Sequence, residues 1–175
     1  GSDSYIMKKI ILLALGLGFF NISFAQGELW GVSRDGGTNG IGCIFKADVD
    51  GSNPVLVHSF ESNAPGKRPE ELIMVEYNGL LYGVNSDGGK ADEGVLFSLD
   101  PITKAYTVLY EFIDTLSGRS PTYTLAISAA GTIYGTTDFG GPLEFDGTLF
   151  QYDLTTDAFT VLVDFDSTTV SGFEK

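Results

Sequence analysis

The chain has 175 residues, 43% of them hydrophobic, with 23 glycines and a formal net charge of −13. That length suits one sizeable core, and the glycines forecast many turns. The negative charge repels nucleic acid and anionic membrane surfaces, so neither is an expected partner. A single Cys and a single His leave no intrachain disulfide and next to no basis for a zinc site or a His-dependent triad.

The first residues read as a targeting segment. Met7-Lys8-Lys9 is a short basic region, residues 10–20 are apolar, and Ser23-Phe24-Ala25 is a small-x-small cleavage site ahead of Gln26. This is the layout of a signal peptide over 7–25, and the apolar run is shorter than the roughly 18–20 residues a membrane span needs. No Cys follows the cleavage site, which argues against a lipoprotein anchor. Residues 1–6 precede the start Met and read as an expression scar or upstream residues. The expected mature chain, 26–175, loses Lys8, Lys9 and Asp3, which leaves 8 basic and 22 acidic residues and a net charge of −14. It is expected to be secreted or held at the cell surface, with no membrane partner of its own.

From Gln26 onward the chain repeats itself. Leu29-Trp30-Gly31, Leu81-Tyr82-Gly83 and Ile133-Tyr134-Gly135 are spaced by 52 residues. Glycine pairs follow at Gly36-Gly37, Gly88-Gly89 and Gly140-Gly141. Then come GCIF (42–45), GVLF (94–97) and GTLF (147–150), and a further Phe fifteen residues later at Phe60, Phe112 and Phe165. Asp48, Asp100 and Asp153 stand three residues past Phe45, Phe97 and Phe150, and Pro69 and Pro121 recur at 52. Offsets held in this order define a tandem repeat of about 52 residues, with copies at about 26–69, 70–121 and 122–175.

Each copy reads as four short strands. Strand a covers 72–77 or 123–128. A tight turn at Asn78-Gly79 or Ala130-Gly131 leads to strand b, as at 80–85. A glycine-rich loop leads to strand c, as at 94–99, and a short turn after the Asp leads to strand d, as at 106–112. Four antiparallel strands at this period predict an all-β, β-propeller-like array of about three blades behind a signal-peptide helix. By the same offset the first copy lacks strand a, so eleven strands are expected, forming an open or partial ring. Further repeats of the same protein, or self-association through the open blade edges, would be the natural partners.

The copies resemble the GloVer tandem repeat of bacterial "choice-of-anchor" surface proteins. VLYEF, SGRSP, GTIYGTTDFGG and GTLF carry that resemblance most fully. HSF, PGKRP, GLLYGVNSDGG and GVLF carry it less fully, and the first copy places Trp30 and Cys43 where the pattern has Tyr and Thr. The resemblance covers 26–175 and implies a secreted or surface propeller-like protein. It brings no catalytic residues and no cofactor. The expected function is therefore a non-catalytic binding or scaffold segment of a larger bacterial surface protein. A propeller-type carbohydrate-active enzyme fragment, lyase or hydrolase, and a ligand-free spacer are the competing readings.

Residues with chemical potential have structural accounts. Asp48-Val-Asp50-Gly51-Ser-Asn53 opens like a calcium loop, but position twelve is Ser59 instead of a bidentate Glu, so a hairpin turn is expected and no metal. Cys43 stands where the other copies have Val95 and Thr148, as a small strand residue. His58 aligns with Glu111 and Asp164 on the last strand of a copy, where a polar surface residue is expected. Phe45, Phe97 and Phe150, with Phe60, Phe112 and Phe165, are expected to pack one sheet on the next. The b–c loops (about 33–41, 85–93, 137–146) and d–a loops (61–69, 113–121) are long and fall on one rim. Arg34, Asp35, Lys67, Arg68, Asp87, Lys90, Arg119 and Asp138 gather there. They form the candidate ligand rim for a glycan or a surface protein, with local pairing to Asp35, Asp87, Asp92 or Glu93 as the alternative.

Overall fold

A computed structural model describes residues 27–33, 35–61, 66, 74–142 and 146–165, with Tyr123 and Thr124 as backbone alone. The targeting segment, Arg34, Lys67, Arg68 and Pro69 lie outside the described residues. The first sheet holds β1 (Glu28–Ser33), β2 (Cys43–Asp48) and β3 (Val55–Ser59). The second holds β4 (Val75–Tyr77), β5 (Leu80–Asn85), β6 (Val95–Leu99) and β7 (Tyr106–Glu111). After a single helical turn, α1 (Asp114–Ser117), the third holds β8 (Arg119–Ile127), β9 (Thr132–Phe139), β10 (Thr148–Asp153) and β11 (Ala158–Asp164). Every pairing between these strands is antiparallel and sequential, so each sheet is a meander and, among the described residues, none closes on itself.

The repeated words have positions in this ladder. Gly31 pairs with Phe45, Gly83 with Phe97 and Gly135 with Phe150. The Phe ring lies across its glycine partner: a Cβ on Gly31 would sit 2.7 Å from Phe45 Cζ, and one on Gly135 would sit 2.5 Å from Phe150 Cζ. Only a residue without a side chain leaves room for the ring. One residue earlier, between β2 and β3, β6 and β7, and β10 and β11, the register shifts in the same place each time. These β-bulges leave Val57, Leu109 and Leu162 as the extra residue on the last strand of each sheet, and they break its alternation.

The sheets pack on one another in chain order. Ile44, Val57 and Phe60 of the first sheet share a core with Phe97 and Leu99 of the second. Tyr82, Val84, Leu96 and Phe112 of the second share another with Leu125, Ile133, Phe150 and Tyr152 of the third. The third-strand pattern records this order. β6 is buried at every position, whereas β10 alternates buried and half-buried, because among the described residues the second sheet has a neighbour on each face and the third has one. Each fully buried Phe or Leu contributes roughly 1.5–3 kcal/mol by burial.

Ring contacts repeat at both interfaces. His58 stacks on Tyr106 with centroids 4.4 Å apart, and Tyr110 stacks on Phe159 at 3.7 Å. Phe60 meets Phe97 edge-on at 6.5 Å, and Phe112 meets Phe150 edge-on at 5.2 Å. Phe97 stacks with Tyr106 at 4.8 Å, as Phe150 does with Phe159 at 5.2 Å. His58 is thus the counterpart of Tyr110, not of Glu111 and Asp164. The expectation of a surface histidine is corrected: the bulge at Val57 turns His58 toward the second sheet, where it is half-buried.

Candidate functional site

The tight-turn rim is built by local hydrogen bonds. Asp100 Oδ1 accepts from the N–H groups of Ile102 and Thr103, and Asp153 Oδ1 from those of Thr155 and Thr156. Those donors hold both carboxyls below the usual range, led by the N–H of Thr103 and of Thr155. In the first copy Asp50 takes this role, accepting from the Ser52 N–H at 2.9 Å, while Asp48 accepts from the Asn53 amide at 2.8 Å. The Asp48–Asn53 stretch is therefore a turn, as its sequence indicates. Among the described residues no group of three or more His, Cys, Asp or Glu side chains is arranged to hold a metal. Cys43 is buried, and burial pushes its thiol pKa up.

The opposite rim brings the long connections together. The β7–β8 connection is bound into loops on both sides. The Asp114 N–H donates to the Glu93 carboxylate, and the Ser120 N–H donates to the Glu93 carbonyl at 2.9 Å. Toward the third sheet, the Gly141 N–H donates to the Asp114 carbonyl at 2.6 Å, and the Thr148 hydroxyl donates to the Ser117 carbonyl at 2.9 Å. Gly94, at φ 110°, lies directly under Pro121, and a Cβ there would collide with the proline ring. This contact gives Pro121 its place.

The rim residues separate into distinct settings. Asp35 is exposed, and Asp87 is half-buried beside Gly88. Lys90 reaches Glu111 at 3.5 Å, with the Lys side chain 91% exposed. Arg119 pairs with Asp114 at 3.3 Å and lies 4.9 Å from the centre of the Phe139 ring. Of the five rim cations, Lys90 and Arg119 lie among the described residues, and their carboxylate partners there are Glu111 and Asp114. Arg119 and Asp138 are also not loop residues: β8 begins at Arg119 and β9 runs to Phe139. Asp138 accepts from the Thr122 hydroxyl at 2.7 Å, within the sheet. Both strands extend further than the repeat pattern indicates because Arg119 and Phe139 pair at their ends, beyond a register shift between Thr122 and Ala126.

Two features escape the sequence pattern. An open groove of about 520 Å³ runs along the end of β7, lined by Lys90, Leu109, Tyr110, Glu111 and Ile113 among others. Ile113, in its lining, is 44% exposed, and Leu116 and Phe139 are 61% and 48% exposed. The available signal was Phe139, which occupies the place of Asp35 and Asp87 in the 52-residue register.

A stack of meander sheets that renews the same glycine–phenylalanine pair and the same ring contacts in each copy defines a tandem-repeat all-β protein. A family profile described as the Gloeobacter/Verrucomicrobia repeat matches residues 20–175, and the chain belongs to that family. A comparison with curated proteins finds no match.

Proposed function

We propose that the three sheets are consecutive blades of an open, propeller-like array, and that the chain is a non-catalytic secreted or cell-surface module. In this reading it is a binding or scaffold segment of a larger bacterial surface protein. One observation carries it: the recurrent residues are spent on holding sheet to sheet, while the connections gathered on one rim differ from copy to copy. Phe97, Phe112 and Phe150 are each at most 1% exposed. The imidazole is stacked on Tyr106 and the thiol is buried, so the two residues best suited to nucleophilic or acid–base chemistry are engaged in packing. Loops positioned by a rigid scaffold are the usual place for recognition.

The ligand class is a glycan or a surface peptide. Arg119 and Lys90 supply charged donors for hydroxyl or carboxylate oxygens. The test is a glycan array and peptide panel probed with the full chain, followed by alanine substitution on each rim. Loss of binding on changing Lys90 and Arg119, but not Asn78 or Asp50, supports the assignment; the reverse pattern refutes it. Cleavage of an arrayed glycan would favour the enzyme reading. Export follows from the layout of residues 7–25, and N-terminal sequencing of exported protein is expected to begin at Gln26. A start at Met7 or earlier overturns that expectation.

A further inference from the structure

The two internal interfaces are built from equivalent positions, so they define what each free sheet face is shaped to meet. The side of a sheet that meets its predecessor is its leading face, and the other is its trailing face. Ile133, on the leading face of the third sheet, is 0% exposed against the second sheet, whereas its counterpart Leu29 on the first sheet is 49% exposed. Phe97 and Phe150 are wholly buried, but Phe45 is half-buried. Leu56 lies on the same face as Phe45, its ladder partner, and is 46% exposed.

The trailing faces change in the opposite direction. The bulge residue Val57 is 8% exposed in the first interface, and Leu109 packs in the second. Their counterpart Leu162 is 44% exposed. Phe60 and Phe112 are each 1% exposed, while Phe165 is half-buried. Tyr134 and Leu149, counterparts of the buried Tyr82 and Leu96, are half-buried as well. Among the described residues, one end of the stack therefore presents an unmet trailing face, and the other presents an unmet leading face. Each has the pattern that the other accepts inside the chain.

We propose that a second copy of this chain is the occupant: the leading face of its first sheet docks on the trailing face of the third sheet of its neighbour, repeating the internal contacts between molecules. The contact is heterologous, since the two surfaces differ, and it either closes into a ring or propagates. Exposed apolar sheet faces of this kind mark interaction surfaces. The inference does not depend on whether the long-loop rim binds a ligand.

The test uses the full chain in sedimentation velocity, with Leu29→Asp on the leading face and Leu162→Asp on the trailing face. Both positions are exposed, so the variants should fold, and circular dichroism checks this. The unaltered chain is expected to associate in a concentration-dependent way. Each variant alone should weaken association by about tenfold or more, the scale of a hot-spot side chain. An equimolar mixture should form a one-to-one complex, because each variant retains the face that the other lacks. Three outcomes overturn the proposal. One is a monomer at about 100 μM, where a micromolar contact would be saturated. Another is association that survives both substitutions, as it would if residues 7–25 drove it. The third is a mixture that remains unassociated.

Discussion

Alanine at Phe150 and alanine at Phe45 make the same chemical change in the same motif, and the stack predicts different costs. Phe150 is 0% exposed, lies over Gly135, and touches Phe112 and Phe159 with centroids 5.2 Å away in each case. Removing a ring from such a site loses its burial and leaves a cavity between two sheets, for about 3–5 kcal/mol. Phe45 covers Gly31 in the same way, but it is half-buried on a leading face with no sheet against it among the described residues. Half of an ordinary Phe burial, without an enclosed cavity, comes to about 1–1.5 kcal/mol. The difference, about 2 kcal/mol or more, is a large share of a typical domain stability of about 5–15 kcal/mol. Urea denaturation followed by far-UV circular dichroism measures it directly, at a concentration where the chain is monomeric. Equal transition midpoints for the two variants would refute the stacking order and the claim that ring burial between sheets holds the fold.

Other perturbations read other parts of the structure. Burial depresses the His58 pKa, with Glu61 opposing more weakly. The unfolded imidazole titrates near 6.5, so stability should be full above about pH 7 and should fall as pH drops past 6.5 toward the lower folded value. Trp30 packs against the core that holds Phe60, which His58 meets edge-on; it reports this by fluorescence, and His58→Phe should remove that part of the slope. Burial, with the bond to Asp157, pushes the Tyr152 phenol up to about 12. Spectrophotometric titration should show it protonated after exposed tyrosines have ionised, with stability declining as pH rises past the unfolded value of about 10. Gly94→Ala forces a Cβ into Pro121 at positive φ and should cost about 2–5 kcal/mol. Gly79→Ala at φ 79°, with nothing within 4 Å, should cost about 1–2 kcal/mol by the same chemical denaturation.

The period, the strand order and the tight turns were legible because each rests on residues with a fixed offset and a local cause. Glycine opposite phenylalanine, Asn-Gly between strands and Asp at a strand end all act within a few residues or across one ladder rung. The setting of His58 was not legible. A bulge places two consecutive residues, Val57 and His58, toward the same neighbouring sheet, and alternation cannot announce it. The α1 turn is too short to show a helical period. The repeat pattern puts Arg119 and Asp138 in loops because it marks where strands begin on average, whereas pairing at the far ends of β8 and β9 carries both strands further. Loop lengths point to the rim, but the ion pairs of Lys90 and Arg119 depend on contacts between elements that no fixed offset in the repeat announces. Lys90 and Arg119 pair with Glu111 and Asp114, which the end of β7 and the turn of α1 place within reach.

The glycine–phenylalanine rung also bears on how such a chain can change its length. Gly31 and Phe45 are 14 residues apart, as are Gly83 and Phe97, but Gly135 and Phe150 are 15 apart. The rung is nevertheless formed between Gly135 and Phe150. The additional residue falls between Gly141 and Gly147, off the ladder. An inserted codon there shifts neither the register nor the faces that meet, whereas one placed between Gly135 and Phe139 would send every later side chain of β9 to the opposite side. The loop is thus the slack in the reading of the repeat. Copies can drift in length in that connection while the stack between them stays in phase.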